Sequence, residues 1–87
     1  GGVIYSMADT GMGAALYTDL NEEEICTTIE IKIVYLKAVN SGTLTCDTSV
    51  THKSRRIAVL ESEIRNDEHL IAKAIGTFYI AKGKGDQ

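Results

Sequence analysis

Apolar residues recur at helical spacing in the first part of the chain and at alternate positions in the rest. From Val3 to Tyr17 they return every three or four residues, which predicts one helix. The sequence after the polar segment 18–24 alternates in the manner of strands. Four strands are predicted, over residues 25–36, 43–51, 56–65 and 69–81.

The first predicted strand is expected to be long and half-buried. Strict alternation would place one set of residues on one face, namely Ile25, Thr27, Ile29, Ile31, Ile33 and Tyr35. The other face would carry Cys26, Thr28, Glu30, Lys32 and Val34. In the last strand Gly76 indicates a bulge or a close backbone approach, because a glycine adds no side chain to the sheet.

Polar stretches mark the connections between these strands. Turn residues occupy 40–42 and 66–68, a polar connection is expected at 52–55, and 82–87 reads as a frayed tail. A helix followed by an antiparallel meander predicts an α+β domain in which a sheet of at least four strands wraps one central helix. The chain of 87 residues is expected to form this single domain, 1–87.

Composition narrows the classes of function. The net charge of -3 and the pI near 5.2 argue against a nucleic-acid binder, which needs a clustered excess of Lys and Arg. Cys26 and Cys46 are expected to be reduced thiols of a cytoplasmic protein. His52 and His69 do not lie at metal-ligand spacing, and no apolar run of about 18 residues predicts a membrane span.

Asp9 is an acid within a segment of small and apolar residues. Burying an unpaired charge costs roughly several kcal/mol, so such an acid is commonly paired, neutralised or functional. The positive end of a helix dipole favours the ionised acid and apolar surroundings disfavour it, which leaves a poorly hydrated and reactive carboxylate. The alternative is an acid in the N-terminal turn that only complements the dipole.

Four strings in order resemble the hotdog-fold acyl-coenzyme A thioesterases of the phenylacetate-degradation type. They are Gly1-Gly2-Val3 running into Met7-Ala8-Asp9-Thr10, then residues 29–38, 52–59 and 74–78. The resemblance extends from Gly1 to about Ile80. Members of that family carry a His directly before the two glycines and a preceding strand, so the first strand is expected to be missing from this chain.

The resemblance also implies roles for individual residues. Asp9 would be the general base or the nucleophile, and the backbone amides of Gly1 and Gly2 would form the oxyanion hole. Thr28 would orient the attacking water, although threonine is also simply a good strand former. Thr10 could donate a hydrogen bond to the Asp9 carboxylate. No cofactor is implied, because the coenzyme A ester is the substrate.

A basic cluster is the candidate site for the phosphates of coenzyme A. It consists of His52, Lys53, Arg55 and Arg56, and guanidinium groups bind phosphate in a bidentate manner. The alternative is a solvated hairpin, which is common for a run of charges. The resemblance places this segment along the channel for the coenzyme.

Two other functions remain as alternatives. A non-catalytic acyl-coenzyme A binding module would use Asp9 only structurally. A related hotdog dehydratase is disfavoured, because that chemistry relies on a His and none lies between Gly1 and Thr51. For the thioesterase a homodimer or homotetramer is expected, since one helix cannot cover both faces of the sheet and exposed edges invite pairing.

Overall fold

The computed structural model describes residues 2–38 and 41–82. One helix and four strands follow one another: α1 Gly2–Tyr17, β1 Glu24–Tyr35, β2 Leu44–Lys53, β3 Ile57–Asn66 and β4 His69–Lys82. The strands form one antiparallel sheet in the order β1-β4-β3-β2, and α1 packs on one face of it. This arrangement confirms the predicted α+β hotdog class. The predicted meander is wrong at its first step, because β1 pairs with β4 and not with β2, which follows it in the chain.

The core lies between one stripe of α1 and the inner face of the sheet. The helix buries residues four apart, which lie along a single side of a helix: Ile4, Ala8, Met12 and Leu16. The sheet contributes alternate residues of its two central strands: Ala58, Leu60, Ile64, Ala72, Ala74, Phe78 and Ile80. The alternation predicted for β3 and β4 is therefore confirmed, and burial of these side chains holds α1 on the sheet.

Two glycines allow α1 to approach the sheet closely. A Cβ on Gly11 would lie 2.9 Å from the hydroxyl oxygen of Thr48. A Cβ on Gly76 would overlap the sulfur of Met12 and lie 3.0 Å from a ring carbon of Phe78. The close approach predicted for Gly76 is confirmed, and its physical reason is the fully buried Met12 side chain above it.

The strict alternation predicted for the first strand is wrong. The register between β1 and β4 shifts between Thr28 and Glu30, where β1 holds one extra residue. A bulge of this kind reverses which residues face the helix. Cys26 packs on the core before the shift and Ile31 does so after it. Two isoleucines are consequently left largely exposed, Ile25 at 45% and Ile29 at 55%.

The polar connection between β2 and β3 is shorter than predicted. His52 and Lys53 belong to β2, after a register shift between Val50 and His52, and they pair with β3. The connection therefore spans only residues 54–56. Of the predicted turns, 66–68 links β3 to β4 with Asp67 at a φ of 57°. Asn40 of the other turn and residues 83–87 of the predicted tail lie outside the described residues.

Candidate active site

Asp9 lies in the middle of α1 and not at its start. It is the eighth residue of the helix, it is half-buried, and the first turn holds no acid. The influence of the helix dipole on a charge is largely confined to the first turn. The reading of Asp9 as an acid that merely complements the helix N-terminus is therefore wrong.

The packing of α1 shows which way Asp9 faces. Gly11 lies over β2, beside Cys46, and Met12 lies over Gly76 of β4. Successive residues of a helix are about 100° apart around its axis. Viewed along that axis, Asp9 therefore lies beyond Met12, on the side away from Gly11. Because β1 follows β4 in the sheet, the flank that carries Asp9 lies toward β1.

The Asp9 carboxylate has no polar partner within residues 2–38 and 41–82. Neither it nor the Thr10 hydroxyl forms a hydrogen bond or an ion pair there, so the suggested bond between them is absent. A half-buried carboxylate in this state keeps its acceptor positions open. It is chemically suited to accept a proton from a bound water or to attack a carbonyl carbon.

Backbone donors lie at the entry to the same helix. Gly2 is the first residue of α1 and is exposed, while Gly1 lies outside the described residues. The first N–H groups of a helix lack carbonyl acceptors within it. The amides at this entry can therefore donate to an oxyanion, although the chain as described places no acceptor there.

Thr28 lies on the same side of the helix as Asp9. It pairs with Phe78 in the register of β1 and β4, which puts it on the inner face of the sheet next to the bulge. Its side chain is exposed and makes no hydrogen bond to the described residues. A hydroxyl so placed is free to bind a water molecule.

A largely apolar groove of about 570 Å³ runs along the opposite flank of α1. It is lined by Gly2, Val3, Ser6, Met7, Thr10, Gly11 and Cys46. Asp9 does not line it, so this groove and the candidate acid lie on different flanks of α1. The sequence analysis did not predict this groove, although its small residues recur at helical spacing along one side of α1.

A series of contacts between polar groups links the sheet to the flank of α1 that carries the groove. Ser62 is fully buried, and its hydroxyl shares a 2.7 Å hydrogen bond with Thr48. The Thr48 oxygen is 3.7 Å from the Cys46 sulfur, which donates over 3.8 Å to the carbonyl of Met7. These contacts satisfy the buried polar groups and tie the first half of α1 to β2 and β3.

The structure brings only part of the basic cluster together. Arg55 and Arg56 line a recess of about 170 Å³, whereas His52 and Lys53 do not line it. Its other walls are Glu24, Ile80, Ala81 and Lys82. The Arg56 guanidinium donates a 3.0 Å hydrogen bond to the Tyr79 hydroxyl. Lys82 was not predicted for this site, because the sequence pattern assigned it to the tail. Its position beside the recess follows from its pairing with Glu24 on β1.

Two other kinds of site were sought in the same part of the chain. Residues 2–38 and 41–82 contain no group of three or more His, Cys, Asp or Glu side chains that could hold a metal ion. They also contain no helix with the length and apolar character needed to cross a bilayer.

The fold and the sequence identify the family. One helix on a four-stranded antiparallel sheet is the hotdog architecture found in the matching structures. Residues 1–73 match the Thioesterase superfamily, and the chain belongs to this family.

Individual relatives agree with that assignment. A protein of Saccharolobus solfataricus named as a candidate esterase is 36% identical over 85 residues, which cover 97% of this chain and 60% of the relative. A Bacillus halodurans protein crystallised with CoA is 28% identical, with a TM-score of 0.86 over 93% of this chain and 58% of that one. A Haemophilus influenzae thioesterase is 25% identical, with a TM-score of 0.82 over 93% and 57%. The chain thus spans about three fifths of the length of these proteins.

Proposed function

We propose that the chain hydrolyses acyl-coenzyme A thioesters and belongs to the phenylacetate-degradation type of the family, acting on aryl, short-chain or medium-chain acyl groups. The observation that carries the proposal is Asp9, a half-buried carboxylate on the helix of a thioesterase fold that has no polar partner among the described residues. In the net reaction the thioester C–S bond breaks, the acyl group takes the hydroxyl of one water molecule and the coenzyme A sulfur takes its remaining hydrogen. The reaction needs no further cofactor.

Each residue has a role in that reaction. As general base, Asp9 takes a proton from the attacking water; as nucleophile, it forms an anhydride that a second step hydrolyses. The amides of Gly1 and Gly2 donate to the oxyanion that develops on the carbonyl oxygen. Thr28 orients the water. We further propose a cytoplasmic protein that acts as a homodimer or homotetramer.

The phosphates of coenzyme A are proposed to bind at the basic corner of the sheet. Arg55 and Arg56 supply guanidinium donors around the small recess, and Lys82 adds a third cation beside them. Lys53 at the end of β2 supplies further positive charge near the connection to β3, and the imidazole of His52 beside it can add a hydrogen bond. The Bacillus halodurans relative crystallised with CoA supports coenzyme recognition within this family.

Thiol release tests the proposal directly. Purified protein is incubated with aryl, short-chain and medium-chain acyl-coenzyme A esters, and free thiol is measured against time. Hydrolysis of at least one ester well above the rate without protein is the expected result. Binding of coenzyme A without any thiol release would favour the non-catalytic binding module, and neither binding nor release would refute both functions.

Removal of the guanidinium groups is expected to weaken coenzyme A binding. Arg55→Ala and Arg56→Ala each remove a charge-assisted bond to phosphate, and at an exposed site each should raise the Kd about fivefold to tenfold at low salt. The difference from the unmodified protein should shrink as salt is added. Titration calorimetry checks this, with Lys37→Ala as the matched control, since Lys37 follows the opposite end of β1. An unchanged Kd in both arginine variants would show that this corner of the sheet does not bind the phosphates of coenzyme A.

A further inference from the structure

The connection between β2 and β3 holds one of its two arginines more firmly than the other. The backbone N–H of Ile80 on β4 donates a 2.7 Å hydrogen bond to the Arg56 carbonyl, and the Arg56 guanidinium donates a 3.0 Å hydrogen bond to the Tyr79 hydroxyl. The Arg55 side chain forms no hydrogen bond or ion pair with the described part of the chain. Arg56 therefore has less conformational freedom to lose when a ligand binds.

Tyr79 lies outside the recess that Arg56 lines. The recess takes its β4 wall from residues 80–82 and not from Tyr79. Phe78 and Ile80 are buried in the core under α1, so the alternation along β4 places Tyr79 on the opposite face of the sheet, where it is 38% exposed. The Tyr79 hydroxyl can therefore act on a ligand in the recess only through Arg56.

The partner of the Arg56 guanidinium is a neutral group and not a carboxylate. A tyrosine hydroxyl fixes the guanidinium without cancelling its charge, and the bond uses only one of the five N–H donors. Lys82 in the same recess has instead the Glu23 carboxylate 3.9 Å from its Nζ, which offsets part of its charge. Arg56 consequently keeps its full charge and four donors, and a guanidinium binds a phosphate through two donors in parallel.

We infer that Tyr79 is a positioning residue, which holds the Arg56 guanidinium at the recess ready to receive a phosphate group of coenzyme A. Immobilising a long, flexible side chain on binding costs free energy, and an arginine that is already held has lost part of that freedom before the ligand arrives. The inference deepens the proposed function and rests on its phosphate site. It assigns Tyr79 no contact with the coenzyme.

Tyr79→Phe tests this role, because it removes the hydroxyl and keeps the ring. The Kd for coenzyme A at low salt is expected to rise about twofold to fivefold, since Arg56 must then be ordered on binding. The dependence of the Kd on salt should keep its slope because no charge is lost, whereas Arg56→Ala should flatten it. Titration calorimetry measures both quantities.

Tyr17→Phe is the matched control for the loss of a hydroxyl. Tyr17 is 54% exposed at the end of α1, and its side chain forms no hydrogen bond with the described part of the chain. This variant should bind coenzyme A with the Kd of the unmodified protein. Urea denaturation of both tyrosine variants shows whether either change affects the fold.

A double-mutant cycle separates positioning from a general effect on the fold. In an Arg56→Ala background, Tyr79→Phe should change the Kd by less than about 1.3-fold, because the hydroxyl then has no guanidinium to hold. Additive effects of the two changes would overturn the inference and leave the phosphate site in place. So would a Tyr79→Phe variant that loses stability in urea but keeps the original Kd. An unchanged Kd in Arg56→Ala would overturn the phosphate site and the inference together.

Discussion

Replacing Asp9 with Asn is expected to lower kcat for thioester hydrolysis by about 10²–10⁴-fold, the range typical for loss of a general base. The amide is nearly the same size and cannot accept the proton or attack as an anion. The fold should persist, because the half-buried carboxylate has no hydrogen bond or ion pair to lose within the described chain. The Kd for coenzyme A is expected to stay within about twofold. Thiol-release kinetics and titration calorimetry measure the two quantities separately.

Asp19→Asn supplies the matched control for this change. Asp19 is exposed in the loop after α1, so the same loss of charge there should leave kcat unaltered. Equal rates for Asp9→Asn and the unmodified protein would show that Asp9 takes no part in the reaction. A single turnover in heavy-oxygen water separates its two roles, because only a nucleophilic Asp9 acquires the label in its side chain.

Gly76→Ala is expected to lower the free energy of unfolding by about 1–3 kcal/mol, although alanine is an ordinary residue in a strand. The φ of Gly76 is not in the left-handed region, so the cost is steric. The added methyl group would overlap the sulfur of Met12 and press on Phe78, and both side chains are buried in the core. Urea denaturation followed by circular dichroism measures the change.

A second glycine serves as the control for the first. Gly13→Ala puts a methyl group into open space on α1, since no other part of the described chain, apart from the adjoining helix backbone and chain neighbours, lies within 4 Å of that position. It should raise stability by about 0.5–1 kcal/mol, because glycine is a poorer helix former. In a Met12→Ala background, Gly76→Ala should cost less than it does alone. Additive effects of these two changes would show that Met12 is not what Gly76 accommodates.

The local pattern of apolar and polar residues predicted the elements of this fold, because each strand shows its own alternation of the two. The buried residues of β3, such as Leu60 and Ile64, lie at alternate positions, as the strand pattern of the sequence predicts. The bulge in β1 was not predicted, because it arises from pairing with β4 and neither Thr28 nor Glu30 carries a local signal for it. An error of one residue in register exchanges the two faces of a strand, so Ile25 was wrongly grouped with Ile31.

The candidate site was predictable in its residues but not in its geometry. Asp9 stands out in the sequence because its neighbours are small or apolar, and the predicted helix from Val3 to Tyr17 already places it in the middle of α1. The flank of α1 on which it lies depends on how the helix packs on the sheet, which the sequence does not show. The recess beside Arg55 gains Lys82 only through the pairing of β1 with β4, which joins residues distant in sequence. The roles of Asp9, Gly1, Gly2 and Thr28 remain predictions.

The contact between α1 and β2 determines how far along the sheet Asp9 lies. The thiol of Cys46 reaches the carbonyl of Met7, and Gly11 leaves no room for a side chain against Thr48. Sliding the helix by one residue would break both contacts at once. A larger side chain at Cys46 would push α1 sideways and displace the carboxylate on its far flank. A substitution on β2 is therefore expected to move Asp9, although the two positions lie on opposite flanks of the helix.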